Sequence, residues 1–450
     1  MKYSSVLLAV ICLLSAVSAQ WLETTIRLDS GSAPNALCYN SQNNKVYCAN
    51  AGHVIVIDGA TNAFVAFIIT GGAPRALCYN PQENKIYCAN GGSNMLSVID
   101  GLSDIVIASV PVGVGPQDVC FNVQAGKVYC ANGGDSSVTV IDGVTDSVLA
   151  TLDADVYPFD LCCDSQNNRV YCANLKSYYH VTVIDGAADT VIRTVTVGQQ
   201  PCALCVNTQE GKVYCANSGD FPFTYDSTVT VIDGGTSQVT DTVFVGHNPR
   251  ALCYNSTNNR VYSANWLDRD VTVIDGTTDS VLSTVAVGNG PSALFYNHMN
   301  NKVYCANSDG DNVTVIHGAT NQALLSIDVG GQPIAFCHNP LQNRVYVANR
   351  DSSTISVLRD SMLGVEESFR PQAASHKPAP TVVQGVLFLP EAADPKPQAA
   401  SLLDISGRKV LDLKPGANDV RALAPGVYFV RPASGVERDA SSVTKVVVTR

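Results

Sequence analysis

Charge is scarce in this chain. Asp, Glu, Lys and Arg make up 15% of 450 residues, and the balance is acidic, with a formal net charge of −11. Phosphate backbones attract basic surfaces, so no nucleic-acid partner is expected. After the first twenty residues no apolar run is long enough for a membrane-spanning helix, so no transmembrane segment is expected. The common signatures of site chemistry are missing too. There is no HExxH or CxxCH, and the seven histidines fall at unlike positions. The lone Cys202-Ala203-Leu204-Cys205 lies across a loop-to-strand junction and not in a zinc knuckle. A haem or metal centre is therefore not expected, and no cofactor is assigned.

Among the features that are present, the start comes first. Lys2, the apolar run Val6 to Leu14 and the small residues Val17-Ser18-Ala19 have the order of a secretory signal, with the mature chain starting near Gln20. Low charge with abundant Val, Thr, Gly and Asn then favours an all-β protein over a disordered one.

A repeat dominates the rest. KVYCAN ends at Asn50 and returns, with small changes, ending at Asn90, Asn132, Asn174, Asn217, Asn265, Asn307 and Asn349. Self-similarity at this period marks a repeat architecture. Each copy holds four short apolar segments; in the third they are 118–122, 127–132, 138–143 and 148–154. Four strands per repeat, called A to D with A innermost, is the unit of a propeller blade. The residue before each B-strand Lys or Arg is Asn or Gly in all eight copies, as a hairpin turn ending in a left-handed residue requires. The eighth copy lacks a D strand, whereas Leu22 to Asp29 resembles a spare one. Joining the two closes an eight-bladed β-propeller and removes an exposed edge. Seven blades are the alternative if one terminal copy is degenerate.

The recurring [KR]-[VI]-Y-x-A-N, followed by VTVIDG, then VLATVxVG and a proline, resembles the YVTN family of β-propeller repeats over about 20–360. Cys replaces the second Val of that signature in most copies. The resemblance implies the fold and leaves the function open, because related propellers include surface proteins, lactonases and haem enzymes.

Residues 361–379 lose the repeat and gain Pro, Ala and Ser, as a linker does. From 380 to 450, alternating apolar strands and Gly/Pro turns predict a small Ig-like β-sandwich. LLDISGRKV, LAPGVYFVR and the basic end at Arg450 resemble the C-terminal sorting domain of type IX secretion substrates. That resemblance implies outer-membrane secretion machinery as a partner, and an extracellular or cell-surface location reached through the periplasm. The expected domains are thus a signal peptide (1–19), a propeller (20–360), a linker (361–379) and a secretion domain (380–450), in a monomeric chain.

Five A–B hairpins carry cysteines ten residues apart, Cys38 and Cys48 being the first such pair. A four-residue turn between Asn40 and Lys45 is expected to set Cys38 directly opposite Cys48. Buried thiols and hairpin disulfides both stay open at this point. The basic residues that open the B strands are expected to meet C-strand carboxylates, Lys45 opposite Asp58, as ordinary cross-strand pairs.

Two sets of residues are binding candidates. The residue after each D–A proline is expected to ring the channel mouth, and there Arg75 and Arg250 suit an anionic ligand. The B–C loops of blades four to six are rich in aromatics, and Tyr178, Tyr179, Phe221, Phe223, Tyr225 and Trp266 are expected to form one patch on the same face. No acid, base or nucleophile is visibly paired with these residues, so no catalytic residue is assigned. The sequence reads as an exported, non-enzymatic propeller that binds a glycan or protein at a surface. The alternative is a lactonase-like hydrolase at the channel mouth.

Overall fold

The computed structural model describes residues 20–176, 179–219 and 226–360, Arg408, and strands between 381 and 448. Its contacts divide the chain into two compact units, Met1–Val365 and Glu366–Arg450. Among the described residues there are strands and turns but no helix, and hence no helix long and apolar enough to cross a membrane.

The first unit is an eight-bladed propeller. Each blade is a four-stranded antiparallel sheet; in blade 3 the strands are Pro116–Asn122 (A), Lys127–Asn132 (B), Ser137–Asp142 (C) and Val148–Asp153 (D). The turn before each B strand has the expected geometry, with φ between 49° and 66° at Asn44, Asn84, Gly126, Asn168, Gly211, Asn259, Asn301 and Asn343. The A strands of neighbouring blades touch all the way round, so they form the innermost ring. Closure is as the sequence implies: Gln20–Arg27 pairs antiparallel with Thr354–Asp360 and becomes the outer strand of blade 8.

The motif tyrosine explains much of the repeat. All eight copies, from Tyr47 to Tyr346, are fully buried. Each packs its ring between blades, and a buried phenol needs a partner for its hydroxyl. Tyr47 donates to Asp104 at 2.6 Å, Tyr87 to Asp146 at 2.9 Å and Tyr214 to Asp279 at 2.6 Å, in each case in the C–D turn of the next blade. The motif asparagine works within its own blade: Asn132 Nδ2 bonds the hydroxyls of Ser137 and Thr139, which ties strand B to strand C.

Two expectations are corrected here. Lys45 does lie opposite Asp58 across the ladder, but its ammonium reaches the next blade and bonds Asp104 at 2.6 Å. Lys85–Asp146, Lys127–Asp189 and Lys212–Asp279 repeat that inter-blade pair. Asp58 is occupied by its own turn, accepting from the Ala60 and Thr61 N–H groups and the Thr61 hydroxyl. The basic residues therefore bolt blades together instead of stabilising single sheets.

The second correction concerns the cysteines. Asn40 pairs with Lys45, so Cys38 faces Tyr47, and Cys48 faces Leu37. Side chains alternate across a sheet, so Cys38 and Cys48 point to opposite faces. Cys38 packs in the core between blades 1 and 2, and Cys48 in the core between blades 8 and 1. The same register recurs in the other four hairpins and bars a disulfide within any of them.

In the second unit, the described strands form one five-stranded sheet in the order Thr381–Val383, Thr444–Val448, Gly426–Pro432, Ala400–Leu403, Lys409–Leu413. A separate pair joins Val386–Leu389 and Gly416–Asp419.

Candidate functional site

Strand direction puts the D–A and B–C loops on one face of the propeller, and backbone bonds stitch them together. Gly133 N donates to Gly115 O, Leu175 N to Tyr157 O, and Trp266 N to Asn248 O. The residues after the D–A prolines stand where these loops meet strand A. Asn35 and Ser292 each donate to the proline carbonyl that opens the next blade, at 3.3 Å, and Cys202 does so at 3.2 Å. Phe159 stacks with Tyr157, and Gln117 bonds Arg75. Much of this ring is thus consumed in joining blades.

Arg250 is the most constrained cation of the ring. Its guanidinium lies 4.1 Å from the centroid of the Trp266 ring, and its Nε donates to Asn248 Oδ1 at 2.7 Å. Trp266, half-buried, is held in turn by its Nε1, which donates to Asp309 of blade 7 at 2.9 Å. Burial draws the Arg250 pKa down from its ordinary value, yet a guanidinium remains charged. Its terminal Nη groups have no hydrogen-bond partner among the described residues. Arg75 is exposed and donates to Gln117 Oε1 at 2.7 Å. Blades 2 and 6 stand opposite each other in a ring of eight, so the two arginines are not neighbours.

Of the expected aromatic patch, Tyr178, Phe221, Phe223 and Tyr225 lie outside the described residues. Tyr179 is 39% exposed with φ at 78°. Trp266 is committed to the Arg250 stack. A surface cleft of ≈ 470 Å³ is lined by Arg27, Ser30, Arg350 and Ser352, among others, from blade 8 and its closing strand, away from blades 2 to 6.

Further down strand A, sequence reasoning missed a carboxylate pair. Four residues before the end of strand A, six blades have alanine, while blades 3 and 4 have Asp118 and Asp160. Each reaches the following blade: Asp118 Oδ2 accepts from Leu161 N at 2.9 Å, and Asp160 Oδ2 from Leu204 N at 2.7 Å. Strand A is the inner end of each sheet, so these N–H groups face away from the ladder, and the carboxylates satisfy them. Burial in the channel wall pushes Asp118 up to about 6 against those bonds, and burial together with the Asp118 charge holds Asp160 well above the carboxylate range. Because the charge on Asp118 disfavours a second charge on Asp160, the two carboxylates titrate as a coupled pair. The signal was in the repeat alignment: PQDVCFN and PFDLCCD set against PRALCYN.

Fold, register and repeat together define a β-propeller repeat protein. A family model described as YNCE-like beta-propeller matches residues 161–335, from the A strand of blade 4 to that of blade 8. No curated protein matches the chain. Among solved structures, the chain is similar to Kuenenia stuttgartiensis hydrazine synthase at a TM-score of 0.54 and 17% identity, covering 66% of this chain and 98% of that one. A likeness at that identity speaks to the fold alone.

Proposed function

We propose that this chain is an exported propeller that acts by binding, and that the loop face over blade 6 takes a carboxylate-bearing ligand, with acidic glycans as the first class to test. The observation that supports this is Arg250. A guanidinium braced by an indole and an asparagine, with its Nη fork unpaired among the described residues, is already arranged for a carboxylate and loses little freedom on binding one. Calorimetry with an oligomer of a uronic acid, against the same oligomer esterified, is the direct test. The free acid should bind and the ester should not, and Arg250→Gln should weaken binding about tenfold or more. Equal binding of both forms, or an unaffected variant, would remove the reading.

Export rests on the signal-like start and on the C-terminal resemblance to type IX sorting domains. In a host with that secretion route, deleting 380–450 should leave a folded propeller in the periplasm. Truncated protein appearing in the medium at the full-length level would refute the sorting role. The YVTN resemblance agrees with a surface location.

The Asp118–Asp160 pair favours a second reading, hydrolysis within the channel, because a carboxyl poised near neutrality suits proton transfer. Turnover of lactones or sugar esters that disappears in Asp160→Ala would put this reading first.

A further inference from the structure

Seven of the eight A strands carry a cysteine two residues before their end. By register it faces the following blade, where it meets the residue one before the end of that A strand. Cys38 packs with Tyr79, Cys78 with Phe121 and Cys253 with Tyr296. Blade 4 breaks this pattern. Cys163 occupies the place that is aromatic in most blades, so the thiol of Cys120 meets another thiol. Cys163 Sγ donates to Cys120 Sγ at 3.0 Å, the one thiol–thiol hydrogen bond among the described residues. Neither residue is fully buried.

We propose that Cys120 and Cys163 are an oxidisable dithiol, converted by a small-molecule disulfide into a covalent staple between blades 3 and 4. The sulfurs must close by roughly 1 Å to reach a bond of about 2.05 Å, a side-chain movement within reach of two strands already held by their neighbours. The step balances as ordinary exchange. One cysteine thiolate attacks the reagent disulfide, giving a mixed disulfide and one released thiol. The second thiolate then attacks the protein sulfur of that mixed disulfide, forming the inter-blade bond and releasing the second thiol. The two protein thiol protons leave on the two released thiols, the cysteines are oxidised and the reagent is reduced. Specificity follows from the sheet. Cys162, next in the chain, points to the other face of blade 4, where it packs with Val206 of blade 5. The bond would also lock together the two A strands that carry Asp118 and Asp160. Nothing in this inference depends on ligand binding or on export.

The test treats the folded full-length chain with oxidised glutathione, quenches it, alkylates free thiols under denaturing conditions and maps peptides by mass spectrometry. One cross-link joining Cys120 to Cys163 is expected, with two alkylation sites lost and the other cysteines alkylated. Cys163→Phe, which installs the ring that blade 3 has at this position, should fold, melt cooperatively and give no cross-link. Should that variant not fold, Cys120→Ser serves the same purpose with less change of volume. Glutathione retained on one cysteine without resolution, a bridge to Cys162, or no reaction in the folded state would each overturn the proposal.

Discussion

Deleting residues 20–27 should destabilise the whole propeller, not merely trim it. Gln20–Arg27 is the fourth strand of blade 8, and its loss bares the edge of Thr354–Asp360 along seven paired residues. An unpaired edge is a template for other chains, so self-association is expected beside a lower melting temperature. The strand also brings Glu23, whose carboxylate bonds Arg344 and lies 3.4 Å from Arg359. Burial pushes the Glu23 pKa up, but the Arg344 guanidinium outweighs it and the net shift is down. Arg344 is 7% exposed and also donates to the Gly59 and Ala60 carbonyls of blade 1, at 2.8 Å each. One arginine therefore holds the closing strand and the first blade together. Removing one partner of a buried ion pair costs about 3–5 kcal/mol, and the partial exposure of Glu23 places it at the lower end. The lost ladder adds to that, as does Ile26, which packs on the core between blades 8 and 1. Thermal unfolding and size-exclusion chromatography of a chain starting at Leu28 would decide the matter. A monomer with an unchanged melting temperature would mean that closure rests on the A-strand ring alone. Glu23→Gln should fall between the two proteins.

The blade unit was legible because each strand is short, β-branched and bounded by turn residues, and because eight copies allowed every position to be compared. The closing strand was legible for the same reason, as the one element left without a blade. The cysteine register was not, although the numbers were available. A four-residue turn that pairs Asn40 with Lys45 must pair Cys38 with Tyr47, and a slip of one residue transfers a side chain to the opposite face. The ion pairs were misplaced for a different reason. Cross-strand neighbours can be read within a repeat, but a lysine or arginine stem spans the gap to the next blade, and only the stacking of sheets shows that Asp104 is nearer to Lys45 than Asp58 is. Arg250 was picked out by its place in the ring, whereas its brace on Trp266 depends on loop geometry that spacing does not encode. Asp118, Asp160 and Cys163 were visible as departures from the repeat. A repeat pattern brings out what the copies share, whereas these three residues stand where one copy differs from the rest.

The acid pair gives the second large effect, and its sign can be worked out. An aspartate in the unfolded chain titrates near about 3.9. Asp118 in the folded chain is held up to about 6, and Asp160 is also raised. Between those values the folded state binds more protons than the unfolded one, so stability falls as pH rises. For Asp118 the contribution is fully present below about pH 4 and is lost as pH rises through about 6, and Asp160 adds to it in the same direction. The turn carboxylates, among them Asp58, Asp100 and Asp142, behave oppositely. Hydrogen bonds from their own turns lower their pKa, so their contribution is full above the ordinary carboxylate range and is lost as pH falls below it. They are solvated, and they are shared by wild type and variant, so they cancel in a difference. Replacing both Asp118 and Asp160 with alanine, the residue that six blades already use, should therefore cost stability in mild acid and recover it toward neutral pH. The swing between the two conditions should be on the order of 2 kcal/mol, read as the difference between denaturant unfolding curves of the two proteins at each pH. The bonds to Leu161 N and Leu204 N favour the charged carboxylates and oppose the rise, which burial nonetheless wins. A difference that stays flat across the window would mean that channel water solvates both carboxylates fully, and hydrolysis in the channel would then lose its poised acid.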